Sequence, residues 1–306
     1  MSTTNELKNE GAASPGAAKA RKLLVGLVGR GIQHSMTPAM QEKEAREHGI
    51  DLHYQLIDLA EPGAGEEDLA GLVKALRAIG FAGCNVTFPY KQAILPLLDG
   101  LSEEAQAMGA VNTVVNTGGR LVGHNTDGSG WAWGFKRALP GADLSRAVLL
   151  GAGGAGSAIA DAALRMGIKQ LTVVDIDAGR IEALAAKLNE QHGAGRVSAS
   201  TDIAAALEGA SGLIHATPVG MYSVPGLPLP AELLRPSLWV SEVVYFPLDT
   251  ALLQAARARG CATADGGNMA VGQAVGAFKL FTGLEPDAAR IDAHFRAMIA
   301  ARDQQG

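Results

Sequence analysis

Residues 151–156 read GAGGAG, so Gly151, Gly153 and Gly156 fall on the spacing G-x-G-x-x-G. The pattern alone says little in a chain with 39 glycines, but its setting constrains the fold. The apolar run 147–150 precedes it and an Ala-rich stretch with helical spacing follows. A strand that turns through such a loop into a helix leaves the first helical N–H groups free. Together with the helix dipole they attract an anion. Gly151 permits the tight turn, Gly153 lets backbone approach a pyrophosphate, and Gly156 allows close helix–strand packing. Ala152, Gly154 and Ala155 complete the loop. The next apolar run ends at Asp175, about 20 residues on, where an acid accepts from the ribose diol of an adenosine. A carboxylate there repels a 2′-phosphate, and Arg180, the only cation nearby, is a further candidate cofactor contact. NAD is therefore expected rather than NADP. The plainer role for Asp175 is a helix N-cap, which Asp177 fills equally well.

Strands and helices alternate around that loop. Runs at 146–150, 171–174, 212–215 and 238–244 read as strands, and 154–166 and 178–191 as helices. This alternation predicts a parallel, doubly wound sheet. Upstream, 23–28, 52–59 and 81–86 read as strands, with helices at 38–48 and 67–79 closed by Gly49 and Gly80. Pro89 is expected to open a further helix, at the position where a missing N–H costs nothing. Runs 111–115 and 121–123 predict a hairpin around 117–119. A helix at 128–138 leads into the second pattern, and helices at 269–282 and 286–301 are expected to pack back on the first. The expected class is α/β. It comprises an N-terminal mixed α/β substrate domain (23–126 and 267–303) and a Rossmann-type doubly wound parallel-sheet domain (127–266). A polar segment at 1–22 is expected to be a disordered leader.

Polar residues cluster where strands of the first pattern end: HSMTP at 34–38, NVTFPYK at 85–91, GAVNT at 109–113 and GHNTDG at 123–128. Ligands of α/β folds collect at such ends. Lys91 would fall in the first turn of the helix at Pro89. A cation there opposes the dipole, so it is unfavourable without a task, and it releases its proton more readily. Asp127 would sit at the start of the helix 128–138, where a carboxylate is favoured in its charged form. Beside Lys91 it would orient the amine and bind a substrate hydroxyl. The plainer readings are an N-cap for Asp127 and a solvated surface lysine for Lys91. Ser35 and Thr37, alternating in extended backbone, could hold a carboxylate between two hydroxyls. Local turn bonding before Pro38 is the alternative.

Composition excludes several classes. The chain has 306 residues, 47% hydrophobic and 19% charged, enough for two globular cores. Its net charge of −5 is not the basic footprint of a nucleic-acid binder. No apolar run reaches the ~18 residues of a membrane span. Two cysteines, Cys84 and Cys261, make no disulfide framework and no metal-ligand cluster, so they are expected as buried small apolar side chains without a bound metal. Without a signal sequence, a cytoplasmic protein is the default expectation.

HSMTP, NVTFPYK, GAVNT, GHNTDG, GAGGAG, ATPVGM, VVYFP and NMAVGQA occur in this order. In them the chain resembles the shikimate dehydrogenase family over about 23–300. The resemblance implies two α/β domains around a cleft and reversible hydride transfer between a nicotinamide and a ring C–OH. It matches Lys91 and Asp127 to the family's catalytic pair, and Ser35 and Thr37 to its carboxylate-binding hydroxyls. Thr87, Asn112, Tyr245 and Gln273 match substrate contacts. Gly151 to Gly156, Asp175, Thr217 and Val243 match cofactor contacts, with Gly266 near the nicotinamide. The family more often has Ser at 37, Asn-Arg-Thr at 175–177, His-Asn at 41–42 and Asn at 215. Here those positions are Thr37, Asp175-Ile176-Asp177, Gln41-Glu42 and His215. Thr37 and the 175–177 change resemble the NAD-dependent quinate/shikimate branch. The implied partner is a cyclic polyhydroxy acid, and the reading leaves room for a homodimer. An NADP-dependent shikimate dehydrogenase, an aminoshikimate dehydrogenase and a non-catalytic NAD sensor are the alternatives.

Overall fold

The computed structural model describes residues 21–60 and 66–303. Its first strand, β1 (Arg21–Gly29), is the apolar run expected at 23–28, extended by two residues that the reading had given to the leader. The rest of that leader lies outside the described residues. α1 (Thr37–Glu47), β2 (Ile50–Asp58), α2 (Glu66–Ile79) and β3 (Gly83–Val86) follow. Next come β4 (Gly100–Leu101), α3 (Glu103–Met108), β5 (Thr113–Thr117) and β6 (Arg120–His124). These strands form one sheet in the order β2-β1-β3-β5-β6-β4. β1 and β3 run parallel, whereas β5 is antiparallel to both β3 and β6. The C-terminal ends of β1, β3 and β6 and the N-terminal end of β5 therefore share one edge.

The chain then runs through α4 (Asp127–Ala138), β7 (Arg146–Leu150), α5 (Gly154–Met166), β8 (Gln170–Val174) and α6 (Ala178–His192). β9 (Val197–Ser200), α7 (Ile203–Leu207), β10 (Gly212–His215) and β11 (Trp239–Glu242) follow. α8 (Ala251–Ala258) and β12 (Ala262–Ala264) complete a second sheet, entirely parallel, in the order β12-β11-β10-β7-β8-β9. Strand order reverses at β7, so the loop after β7 lies at the switch point where open α/β sheets bind ligands. β11 is shorter than the strand expected at 238–244. The Val243 N–H is shared between the His215 carbonyl at 3.1 Å and the Glu242 carboxylate at 2.8 Å, and the Val244 N–H turns onto Glu242 at 3.0 Å, where the ladder ends.

The last two helices, α9 (Gly267–Thr282) and α10 (Ala288–Asp303), return to the first sheet. Ala277, Phe278 and Phe281 of α9 pack with Val25, Leu27 and Tyr54. Full burial of a side chain such as Phe278 contributes roughly 1.5–3 kcal/mol. α4 lies against both α9 and α5, and glycine makes that approach tight. A Cβ on Gly272 would stand 2.2 Å from the Gly130 carbonyl oxygen. Trp131 of α4 donates its indole N–H to Ser241 at 3.0 Å, satisfying a buried polar group. Glu44, buried on α1, takes two bonds of 2.7 Å from Arg290 of α10. Both cysteines are buried, and burial pushes the Cys84 thiol up to about 12. Among the described residues no helix is long and apolar enough to cross a membrane, and no cluster of His, Cys, Asp and Glu could hold a metal.

Candidate active site

The shared edge of the first sheet opens into a cavity of about 420 Å³. Ser35 and Thr37 follow β1, Thr87 and Lys91 follow β3, Asn112 precedes β5, and Asp127 follows β6. Gln273 on α9 and Tyr245 beyond β11 close the ring. All eight line this cavity. Its centre is Asp127, the first residue of α4 and almost fully buried. Lys91 Nζ donates to one of its carboxylate oxygens at 2.7 Å. Asn112 Nδ2 and Gln273 Nε2 donate to the other at 2.8 and 2.6 Å. Thr126 holds the N-cap position, so Asp127 is not the cap. Its own N–H is taken by Asn125 Oδ1 at 2.9 Å.

Two local expectations are corrected. Pro89 opens no α-helix: residues 88–94 form turns that lead into a 3₁₀ turn at Leu95–Leu97. The Thr87 carbonyl accepts from Tyr90, and the Lys91 carbonyl accepts from Val111 on the neighbouring segment. One i to i−4 bond forms, from Ile94 to the Tyr90 carbonyl, but the ladder stops there because the Lys91 carbonyl is taken by Val111 and Pro96 has no N–H to give Gln92. Lys91 therefore owes its place to the turn and to Asp127, not to a helix dipole. The segment from Ser35 to Thr37 is not extended throughout either. Met36 is in the right-handed helical region and Thr37 begins α1. The Thr37 N–H, free at a helix start, donates to Ser35 Oγ at 3.3 Å. Both residues still face the same cavity.

The Gly loop has the shape of a cradle. Gly151 has φ of +107°, a region where a side chain is strained, and a Cβ there would also meet the Ala216 carbonyl oxygen at 2.7 Å and Thr217 Cγ2 at 2.9 Å. A Cβ on Gly156 would lie 2.0 Å from the Gly151 carbonyl oxygen. In front of Gly153 and Gly154 the space is open. No side chain caps the start of α5, which leaves its first N–H groups available. Asp175 accepts from the Ala152 N–H at 2.8 Å, which fixes the carboxylate beside the loop. Burial pushes its pKa up, but the N–H groups of Ala152 and Asp177 and the Arg180 charge outweigh burial and hold it below the usual carboxylate range. Asp177, not Asp175, caps α6, and its carboxylate pairs with Arg180 at 3.3 Å. Arg180 is thus engaged rather than held out toward a phosphate. Val243 and Gly266 meet at the end of β11, where a Cβ on Gly266 would strike the Val243 carbonyl oxygen at 2.5 Å. These residues fit a dinucleotide.

Sequence reasoning passed over several neighbours. Glu242 is buried beneath Val243 and binds His215 at 2.8 Å and Thr250 at 3.0 Å, while His215 reaches Thr217 on its other side. Phe88, 76% exposed, and Arg302, stacked 4.4 Å over Phe246, also line the cavity. Tyr54, Asn85 and Thr113 lie behind Asn112. Asn85 and Thr113 stand inside motifs already noticed, but no spacing rule says which side chain touches which.

The fold and site define a two-sheet α/β protein with a nucleotide cradle beside a cavity built around a Lys–Asp pair. Residues 27–114 match the family model described as the shikimate dehydrogenase substrate binding domain. The chain is 55% identical over 270 residues to shikimate dehydrogenase (NADP(+)) of Streptomyces avermitilis, covering 88% of this chain and 93% of that one. It is 46% identical over 279 residues to quinate/shikimate dehydrogenase (NAD(+)) of Corynebacterium efficiens, covering 90% and 98%. Quinate dehydrogenase from Corynebacterium glutamicum, solved in complex with NAD, superposes with a TM-score of 0.87 at 45% identity, covering 90% and 99%. The chain belongs to the shikimate dehydrogenase family.

Proposed function

We propose that the protein catalyses the reversible, NAD-dependent oxidation of a ring hydroxyl of quinate or shikimate to the 3-dehydro ketone. The observation that carries this reading is the Lys91–Asp127 pair, 2.7 Å apart in a cavity that also gathers six other polar side chains expected to bind substrate. The segments 23–126 with 267–303 would form the substrate domain and 127–266 the NAD domain.

A bound nicotinamide supplies the hydride acceptor. The loop from Gly151 to Gly156 would take the pyrophosphate, Asp175 the ribose diol, and Thr217, Val243 and Gly266 the nicotinamide end. Lys91 accepts the proton of the reacting hydroxyl. Asp127 holds the ammonium that results and binds a neighbouring hydroxyl. Ser35 and Thr37 take the ring carboxylate, while Thr87, Asn112, Tyr245 and Gln273 line the remaining hydroxyls. Asp127 is itself oriented by Asn112 and Gln273, so the base does not wander between turnovers.

One observation favours a second reading. The Streptomyces avermitilis relative at 55% identity is named for NADP(+). Against it, Asp175 is held ionised beside the Gly loop, where it would meet the ribose diol, and Arg180 is paired with Asp177. Initial rates of reduced-cofactor formation with quinate and shikimate, each with NAD and with NADP, decide. The expected result is turnover of both acids with NAD preferred. A preference for NADP overturns the cofactor assignment. Binding of NAD without turnover of either acid overturns the enzymatic reading and favours a sensor.

A further inference from the structure

Asn112 makes every hydrogen bond its side chain can make. The backbone N–H of Thr126 only donates, so the atom 2.9 Å from it is the Asn112 carbonyl oxygen. The amide nitrogen then faces Asp127 at 2.8 Å and Thr126 Oγ1 at 3.0 Å. The Asn112 oxygen also takes the hydroxyl proton of Thr113, 2.9 Å away and closer than the Thr126 hydroxyl at 3.2 Å. Asn85 Nδ2 donates into the same Thr113 hydroxyl at 2.9 Å, and the same nitrogen faces the backbone carbonyl of Asn112 at 3.3 Å, an acceptor only. Asn85 Oδ1 is thereby turned toward Tyr54, whose hydroxyl donates to it at 2.7 Å. Burial pushes the Tyr54 phenol well above its usual range, with Cys84 adding to it, so the phenol stays a donor.

The result is a chain with one direction: Tyr54 to Asn85, Asn85 to Thr113, Thr113 to Asn112, Asn112 to Asp127. It starts on β2, crosses β3 and β5, and ends on the carboxylate that holds Lys91. Asn85 and Thr113 are direct partners in the β3–β5 register, so the sheet sets their spacing. We infer that Thr113, backed by Asn85 and Tyr54, is a positioning residue for the acid–base pair: with the Thr126 N–H, its hydroxyl holds the Asn112 amide in the one orientation that donates to Asp127. Nothing in the chain conducts a proton through the amides. Its effect is to add to the Thr126 N–H in opposing the flipped Asn112, whose oxygen would face the carboxylate and repel it.

This inference rests on the reaction proposed above for its kinetic test, and a second readout frees it from that dependence. Thr113→Val keeps the shape and removes the hydroxyl, whereas Thr113→Ser keeps the hydroxyl. With quinate or shikimate, Thr113→Val should lower kcat about three- to tenfold, the effect of one hydrogen bond. NAD binding should stay unchanged, and Thr113→Ser should restore kcat. The second readout is the side-chain NH₂ pair of Asn112 in ¹⁵N-edited NMR spectra. It should exchange slowly with solvent in the wild type and in Thr113→Ser, and faster in Thr113→Val. Wild-type kcat together with wild-type amide exchange in Thr113→Val overturns the proposal, as does an equal loss in Thr113→Ser. If Thr113→Val does not fold, Tyr54→Phe decides. Faster Asn112 amide exchange there supports the chain, and unchanged exchange overturns it. If the wild type turns over no ring acid while Thr113→Val still releases the Asn112 amide, the reaction fails and the positioning role stands.

Discussion

Asp127 and Asp175 show how far one carboxylate's surroundings decide its use. Asp127 is buried with three side-chain donors on its two oxygens, which suits a group that orients others. Asp175 is half-buried, holds the loop through Ala152, and keeps acceptor capacity facing outward. Its neighbour Ile176 is fully exposed, so a longer side chain there displaces nothing. Removing the acid should weaken NAD by about tenfold or more, since hydrogen bonds to a charged group contribute roughly 1.5–3 kcal/mol. Asp175→Ala combined with Ile176→Arg should admit NADP, because the repulsion is gone and a cation has arrived. Binding titrations of both cofactors against both variants check this. A double variant that still rejects NADP would show that specificity is set away from Asp175.

Among the elements, α1 deserves a separate test because it carries Thr37 yet belongs to neither sheet. Glu44 fastens it to α10 through Arg290, with His48 at 3.0 Å and the Asp287 N–H at 2.8 Å. Burial opposes ionisation of Glu44, but the bonds from Arg290, Asp287 and His48 together hold its carboxyl below the ordinary value. Its contribution to stability is therefore complete above the unfolded value of about 4.3 and is lost as pH falls through the lower folded value. Glu44→Gln should cost roughly 1.5 kcal/mol near neutral pH, the lower end for hydrogen bonds to a charged group, because Arg290 is partly exposed. The difference between wild type and variant should shrink in acid. Urea denaturation at the two pH values measures it, and equal midpoints near neutral pH would contradict the assignment. Elements differed in how much the sequence revealed. Long periodic stretches such as α5 and α9 were readable because their burial follows from spacing alone. The turn at Pro89 was not, because what prevents a helix there is the Lys91 carbonyl bonding to Val111, a contact across the sheet. β11 ended early for a similar reason, a buried Glu242 that competes for the next N–H groups.

At the scale of the molecule, topology does the gathering. Antiparallel β5 brings its first residues to the edge where β1, β3 and β6 end, and the parallel second sheet places the Gly loop at its own switch point. The polar clusters were visible in the sequence because strand ends are punctuated by Gly, Pro and Asn. Their convergence on Asp127 was not, since Gln273 lies 146 positions away and reaches it only because Gly130 and Gly272 let α4 and α9 touch. The role of Thr113 was invisible for the same reason, although it sits in a noted motif. The central claim is that this convergence performs acid–base chemistry through Lys91. The most direct measurement is the steady-state rate of NADH formation from quinate and shikimate by wild type and Lys91→Ala, with NAD affinity determined for both. The account predicts that kcat falls by about 10² to 10⁴-fold in the variant while NAD affinity holds. A Lys91→Ala enzyme that turns over at the wild-type rate would contradict it.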